Sequence, residues 1–220
     1  MLFRSMQIIY LLNKLQSIRQ KKVKNFNNKI YEIPKYTNRI LENEAKLFSE
    51  WYIGNKLNKS EQKKFKKSYS EVIKKLIKKI NHKNDTFVHR DFHISNLMMV
   101  KNRIGIIDSQ DALIGNKVYD LASLIDDVRF ETSEKLKNKI FNFYLKTQKI
   151  LDKKSFKRDF SIISVLRNLK IIGIFTRLAV RDNKKKYLKL IPYAWSLIKN
   201  RSEKNPNFKD LNNLLKVLNN

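Results

Sequence analysis

Apolar residues recur at helical spacing along almost the whole of this chain, and strand-like runs are confined to roughly residues 86–107. That pattern predicts a mostly helical α+β fold with one small β-hairpin at its centre. Helices are expected at about 2–21, 37–58, 61–81, 118–129, 133–151, 155–180, 184–201 and 208–218, with a polar loop through Pro34. Ser60-Glu61 and Thr132-Ser133-Glu134 supply N-cap signals, and Pro206 separates the last two helices. In the middle, Thr86-Phe87-Val88 reads as a short strand. Leu97–Val100 and Arg103–Ile107 flank a Lys101-Asn102 turn and form the hairpin.

Hydrophobic residues make up 42% of the 220 positions, enough for a packed core in one domain or one large lobe. Cysteine is absent, which excludes disulfides and thiolate metal sites and agrees with a cytoplasmic location. The N-terminal apolar run Ile8–Leu12 is far shorter than the ~20 residues of a membrane span. Phe3, Met6, Ile9, Leu12, Leu15 and Ile18 instead mark an amphipathic helix. No membrane association is expected.

Lys and Arg number 48 against 20 Asp and Glu, a net charge of +28. Such a balance can serve nucleic acid, anionic membranes or phosphorylated ligands. Here lysine dominates arginine, as in a compositionally biased coding sequence. In the densest stretch Phe65, Tyr69, Val72, Ile73, Leu76, Ile77 and Ile80 keep a clean apolar stripe between the lysines. The charge therefore reads as solvated helix faces, and no specific nucleic-acid partner is expected.

The chemistry-bearing residues lie at one end of the hairpin. The chain reads Val88-His89-Arg90-Asp91-Phe92-His93-Ile94-Ser95-Asn96, then the two strands, then Ile107-Asp108. Paired strands lie about 5 Å apart, so Asn96 and Asp108 finish side by side, with Asp91 on the entering loop. Two oxygen ligands and a separate carboxylate suit phosphoryl transfer. Mg²⁺ takes one or two protein oxygens plus phosphates, and a free carboxylate can accept the proton of an attacking hydroxyl. Turn and cap formation is the duller use of the same residue types.

The run His89 to Leu97, Ile107-Asp108 and the later Gly115…Tyr119-Asp120-Leu121-Ala122-Ser123-Leu124 resemble the aminoglycoside phosphotransferase and choline kinase superfamily. Ile107 to Ala112, Leu47 to Tyr52 and Arg167 to Leu178 resemble the anomeric N-acetylmuramate/N-acetylglucosamine kinases of cell-wall recycling within it. The resemblance implies the C-terminal lobe of a protein-kinase-like fold, ATP and Mg²⁺ as cofactors, and an amino sugar phosphorylated at its C1 hydroxyl. It implies Asp91 as catalytic base, Asn96 and Asp108 as metal ligands, and His89 and Asp120 as braces of the catalytic loop. His93 is expected to stabilise that loop, and His82 to sit on the surface.

Gln110 and Asp111 either touch sugar or metal or close the loop. Trp51 and Tyr52 either stack on a sugar or pack in the core. Arg167 and Asn168, polar on an apolar helix, are expected to line the cleft. Alternatives are an aminoglycoside or choline/ethanolamine-type kinase, and an inactive kinase-like binding remnant. Kinases of this kind also need a β-rich lobe with a phosphate-covering loop and a Lys–Glu pair. No glycine-rich loop or strand run precedes residue 86, so residues 1–220 are expected to be an N-terminally truncated phosphotransferase lobe with little or no turnover alone.

Overall fold

The computed structural model describes residues 2–101 and 103–218. In chain order its elements are α1 (Leu2–Gln16), β1 (Lys22–Lys24), β2 (Ile30–Glu32), α2 (Asn38–Leu47), α3 (Lys59–Lys78), β3 (Asn84–Val88), β4 (Leu97–Val100), β5 (Arg103–Ile106), β6 (Leu113–Asn116), α4 (Val118–Ile125), α5 (Glu134–Thr147), α6 (Lys153–Val180), α7 (Ile191–Ser202) and α8 (Lys209–Leu215). The mostly helical α+β character expected from the periodicity is what forms. Among the described residues no helix is long and apolar enough to cross a membrane.

The residues divide into two compact units, Met1–Thr37 with His82–Phe160, and Asn38–Asn81 with Ser161–Asn220. In the first, β3 pairs antiparallel with β6, Val88 opposite Leu113 and Phe87 opposite Ile114. Residues 34–36 extend this ribbon: Ile114 N–H donates to the Pro34 carbonyl and Tyr36 N–H to the Ile114 carbonyl, both at 2.8 Å. Gly115 permits the close approach, since a Cβ there would stand 3.0 Å from the Tyr36 Cβ and 3.2 Å from Val88. Val88, Phe92, Ile114, Val118, Tyr119 and Leu121 form the core around it. Helix α1 packs on α5, where Tyr144 Oη donates to Gln16 Oε1 at 2.6 Å and Gln148 Nε2 to Asn13 Oδ1 at 2.9 Å.

Three sequence expectations change here. The supposed polar loop before Pro34 contains the exposed hairpin β1–β2, with Asn25 Oδ1 accepting from Asn27 and Lys29 N–H across its turn. Strand β6 was absent from the sequence reading. His82 is no plain surface residue: its backbone N–H donates to Asp159 Oδ2 at 2.8 Å, and its Nδ1 lies 2.7 Å from the same oxygen. The expected Phe3 packing and the Asn102 half of the turn lie outside the described side chains.

In the second unit α3 buries Phe65, Tyr69, Ile73, Leu76 and Ile77, and the intervening lysines are exposed, as the stripe requires. Its cap is Asn58 rather than Ser60. Asn58 Oδ1 accepts from Glu61 N–H while Glu61 Oε2 accepts from Asn58 N–H, a reciprocal capping box. Ser133 caps α5 as expected, accepting from Leu136 N–H. The helix expected to run to 58 stops at Leu47 and continues as a π-turn over Phe48–Tyr52. Phe48 stacks on Tyr52 at 5.3 Å between ring centroids and meets Tyr69 and Trp195 at 5.5 and 5.6 Å.

Gly173 of α6 makes that packing possible, because a Cβ there would collide with the Leu47 carbonyl group and stand 2.6 Å from Phe48 N. The collision is with backbone, which cannot rotate away. Gly173→Ala should therefore destabilise the chain by about 1–3 kcal/mol, read from urea unfolding. Gly54→Ala, where nothing lies within 4 Å of the new methyl, should stay within about 0.5 kcal/mol. Equal midpoints for the two variants would contradict this packing.

Candidate active site

The candidate site is built on the hairpin β4–β5 and the loop that enters it. Leu97 pairs with Ile106, Val100 with Arg103, and Ile107 N–H donates to the Asn96 carbonyl at 3.1 Å. Asn96 and Ile107 therefore face each other at the open end, and Asp108 follows directly. Asp108 has φ 67°, a left-handed conformation that Asp tolerates better than most residues, and it takes the chain out of the strand at that point. Asp108, Gln110 and Asp111 are exposed, and Ala112 N–H closes a turn onto the Ser109 carbonyl.

The loop is closed on itself. The Asp91 carbonyl accepts from His93 N–H at 2.9 Å and from Asn96 Nδ2 at 3.0 Å, and the His93 carbonyl accepts from Asn96 N–H at 3.0 Å. Committing Nδ2 to this contact fixes the amide plane, so Asn96 Oδ1 faces away from the Asp91 carbonyl. The Asp91 carboxylate stays 45% exposed, with His93 Nε2 at 4.0 Å. Neither Asp91 nor Asp108 is buried among apolar groups.

Helix α4 supports the loop from beneath. Asp120, fully buried, accepts from His89 N–H through Oδ2 at 2.7 Å and from Arg90 N–H through Oδ1 at 2.9 Å. Ser123, one turn on, donates chiefly to the Tyr119 carbonyl at 3.0 Å and more weakly to the Arg90 carbonyl at 3.4 Å. Arg90 has φ 72°, a conformation that costs a non-glycine residue roughly 1–2 kcal/mol. Hydrogen bonds on both of its peptide groups hold it there. Its guanidinium lies 5.9 Å from the Tyr36 ring centroid, and Tyr36 meets Tyr119 edge-on at 5.3 Å.

His89 is buried and packs edge-on against Phe92, 6.4 Å between centroids, with the Ile107 carbonyl close to its ring. Both Asp91 and Asp108 lie near enough to favour its charged form, which ties the two carboxylates to one neighbourhood. Burial outweighs them and pushes the imidazole pKa down. Among the described residues no three His, Asp or Glu stand as a metal cluster. The Asn96–Asp108 pair offers instead two hard oxygen donors, the set that Mg²⁺ accepts when phosphates and water complete its shell.

The other sequence candidates lie in the second unit. Arg167 and Asn168 are buried, and Asn168 Nδ2 donates to the Ser164 carbonyl at 3.0 Å, so both are core groups of α6 there. Trp51 is half-buried. Its neighbour Tyr52 shares with Trp195, Lys199, Asn205 and Asn212 the lining of a cavity of about 900 Å³. Trp195 Nε1 donates to Tyr52 Oη at 3.3 Å. Trp195 and Asp127 are not singled out by the sequence, and Ser123 enters only as part of the Tyr119–Leu124 run, with no role given to it. For Ser123 the signal was present, three residues after Asp120 on one helix face.

The depressed His89 pKa fixes a sign. Between the lowered folded value and the ordinary 6.5, only the unfolded chain binds the proton, so stability rises with pH through that window and is level on either side of it. Unfolding midpoints taken from pH 7.5 to 5 should drop for the wild-type chain and drop less for His89→Asn. Superimposable profiles would contradict the assignment.

A family model described as the phosphotransferase enzyme family, APH, matches residues 8–153. The chain is 33% identical over 168 residues to an N-acetylmuramate/N-acetylglucosamine kinase of Neisseria meningitidis, covering 73% of this chain and 50% of that protein. A protein of the same name in Pseudomonas putida is 29% identical over 192 residues, 84% of this chain and 57% of that one. The chain thus spans about half the length of the curated relatives it matches. Plasmodium vivax ethanolamine kinase has the same fold, with a TM-score of 0.60 over 95% of this chain and 61% of its own, at 14% identity. With the loop, hairpin and bracing helix all inside the matched segment, the chain belongs to the APH phosphotransferase enzyme family.

Proposed function

We propose that this chain is the catalytic-loop lobe of an ATP- and Mg²⁺-dependent kinase that phosphorylates the anomeric C1 hydroxyl of N-acetylmuramate or N-acetylglucosamine. The observation that supports the reading is that Asn96 pairs with Ile107, the residue before Asp108, at the open end of one hairpin, beside a loop that leaves the Asp91 carboxylate solvent-accessible. Asn96 Oδ1 and the Asp108 carboxylate would hold Mg²⁺, which when bound offsets the negative charge of the nucleotide's phosphates.

Asp91 then has a single task. Its carboxylate orients the sugar hydroxyl in line and accepts its proton as the oxygen attacks. Asp120 and Ser123 keep the Asp91 peptide where that contact can form, and His89, held neutral by burial, supports the loop without competing for the proton. Gln110 and Asp111, exposed just past Asp108, would contact the acceptor or the metal shell.

The amino-sugar assignment is supported by the names of the relatives. The surplus of lysine suits an acceptor bearing the muramate carboxylate better than a polycationic one. A cytoplasmic location fits that acceptor and the cysteine-free composition.

Because the chain spans about half the length of these relatives, slow transfer is the expectation and enzyme is used at substrate-level concentration. With ATP and Mg²⁺, phosphorus NMR should show an anomeric phosphate forming on N-acetylmuramate. Asp91→Asn should slow its appearance by about 10²–10⁴-fold while leaving the unfolding midpoint in place. Preferential phosphorylation of kanamycin or choline, or an Asp91→Asn rate equal to wild type, would overturn the proposal.

A further inference from the structure

Asp120 and Ser123 secure only the first half of the catalytic loop, the peptides of His89 and Arg90. The metal-facing half, Ile94–Asn96, is a single 3₁₀ turn with no side-chain cap at His93. Its outward contact is to Asp127, whose Oδ2 accepts from Ile94 N–H at 3.3 Å. Asp127 is 2% exposed and lies just past the end of α4. Asp127 stands beyond the helix, and the backbone contacts of Asp120, Ser123 and Asp127 fall in turn on His89, Arg90 and Ile94.

Asp127 is itself held. Its Oδ1 accepts from Arg129 N–H at 3.0 Å, and the Arg129 guanidinium stands 3.6 Å from the same oxygen. The preceding residue, Asp126, anchors the segment in the other direction, pairing with the buried Lys137 of α5 at 3.4 Å. A buried carboxylate costs stability unless such partners surround it. The two oxygens divide the work: Oδ1 serves Arg129 and Oδ2 serves the Ile94 N–H.

We infer that Asp127 is a second positioning residue, setting the height of the Ile94–Asn96 turn and through it the Asn96 amide that the phosphotransferase reading assigns to the metal. It does not touch the reacting groups. The inference rests on that reading for its consequence and on Ile94–Asp127 geometry for its cause, and the two are separable by experiment.

Amide hydrogen exchange on the chain without ligand tests the cause. Asp127→Ala should speed exchange at Ile94 and Asn96 while His89 and Arg90, bound to Asp120, keep their protection. Asp127→Asn, which retains one acceptor oxygen, should fall between. Unchanged exchange at Ile94 in Asp127→Ala overturns the inference, as does equal loss at all four amides, which marks a general loosening of the core.

The consequence is read with Mn²⁺–ATP by electron paramagnetic resonance. Affinity should fall on the order of tenfold in Asp127→Ala, with partial rescue in Asp127→Asn. Undiminished affinity in Asp127→Ala overturns the link from Asp127 to the metal. A wild-type chain that binds no Mn²⁺–ATP overturns the phosphotransferase reading, and the exchange pattern alone then decides the role of Asp127 in the loop.

Discussion

The buried carboxylate of Asp120, bound to two successive backbone N–H groups, is the contact on which the rest of this structure depends. It holds Arg90 in a left-handed conformation that an arginine would not otherwise occupy. That one residue reverses the chain after β3, so Asp91 emerges at the surface while Phe92 returns to the core. A second left-handed residue, Asp108, performs the matching reversal where the chain leaves β5. The hairpin between them is short and largely exposed, and what it contributes is register. With Leu97 opposite Ile106, Asn96 falls opposite Ile107, and Asp108 is the next residue along.

Local strain and buried charge are thus concentrated on one side of one loop. Asp120 and Asp127 are buried carboxylates whose oxygens accept from backbone amides, and Asp126 pairs with a buried lysine. Elsewhere in the same unit Asp159 is a further buried carboxylate, bonded to the His82 N–H, and Tyr144 with Gln16 is a buried neutral pair. The second unit follows a different logic. Its packing centres on the Phe48 aromatic cluster and on a helix contact that admits no side chain at Gly173. Its lysines coat the outside of α3 and leave the apolar stripe uninterrupted.

Much of this was legible in the residues. The stripe of α3 was readable because apolar positions recur at helical spacing within a lysine-rich run. The hairpin was readable because two short apolar runs flank a polar turn. Its register sets Asn96 opposite Ile107, one residue before Asp108.

What escaped the sequence depends on distant partners. Strand β6 contains Gly115 and Asn116, poor strand formers, and it becomes a strand only because β3 and residues 34–36 pair with it. The β1–β2 hairpin buries nothing, so it leaves no hydrophobic alternation to read. The π-turn at Phe48–Tyr52 carries the residues of an ordinary helix. Asn58 was a different kind of miss, because Asn-x-x-Glu is a capping-box pattern visible in the sequence itself. Arg167 and Asn168 are polar residues on an apolar helix, and burial rather than a cleft accounts for them in their own unit.

The central claim is that Asn96 and Asp108 form one divalent-metal site beside Asp91. Backbone amide NMR of the isotope-labelled chain during titration with Mn²⁺–ATP tests it most directly, because the ion broadens resonances within its immediate surroundings. The account predicts that the amides of residues 96 and 108 vanish first and together, followed by that of 91, with α3 and α8 unaffected. Broadening that spreads over the exposed carboxylates, or that spares residues 96 and 108, would contradict it.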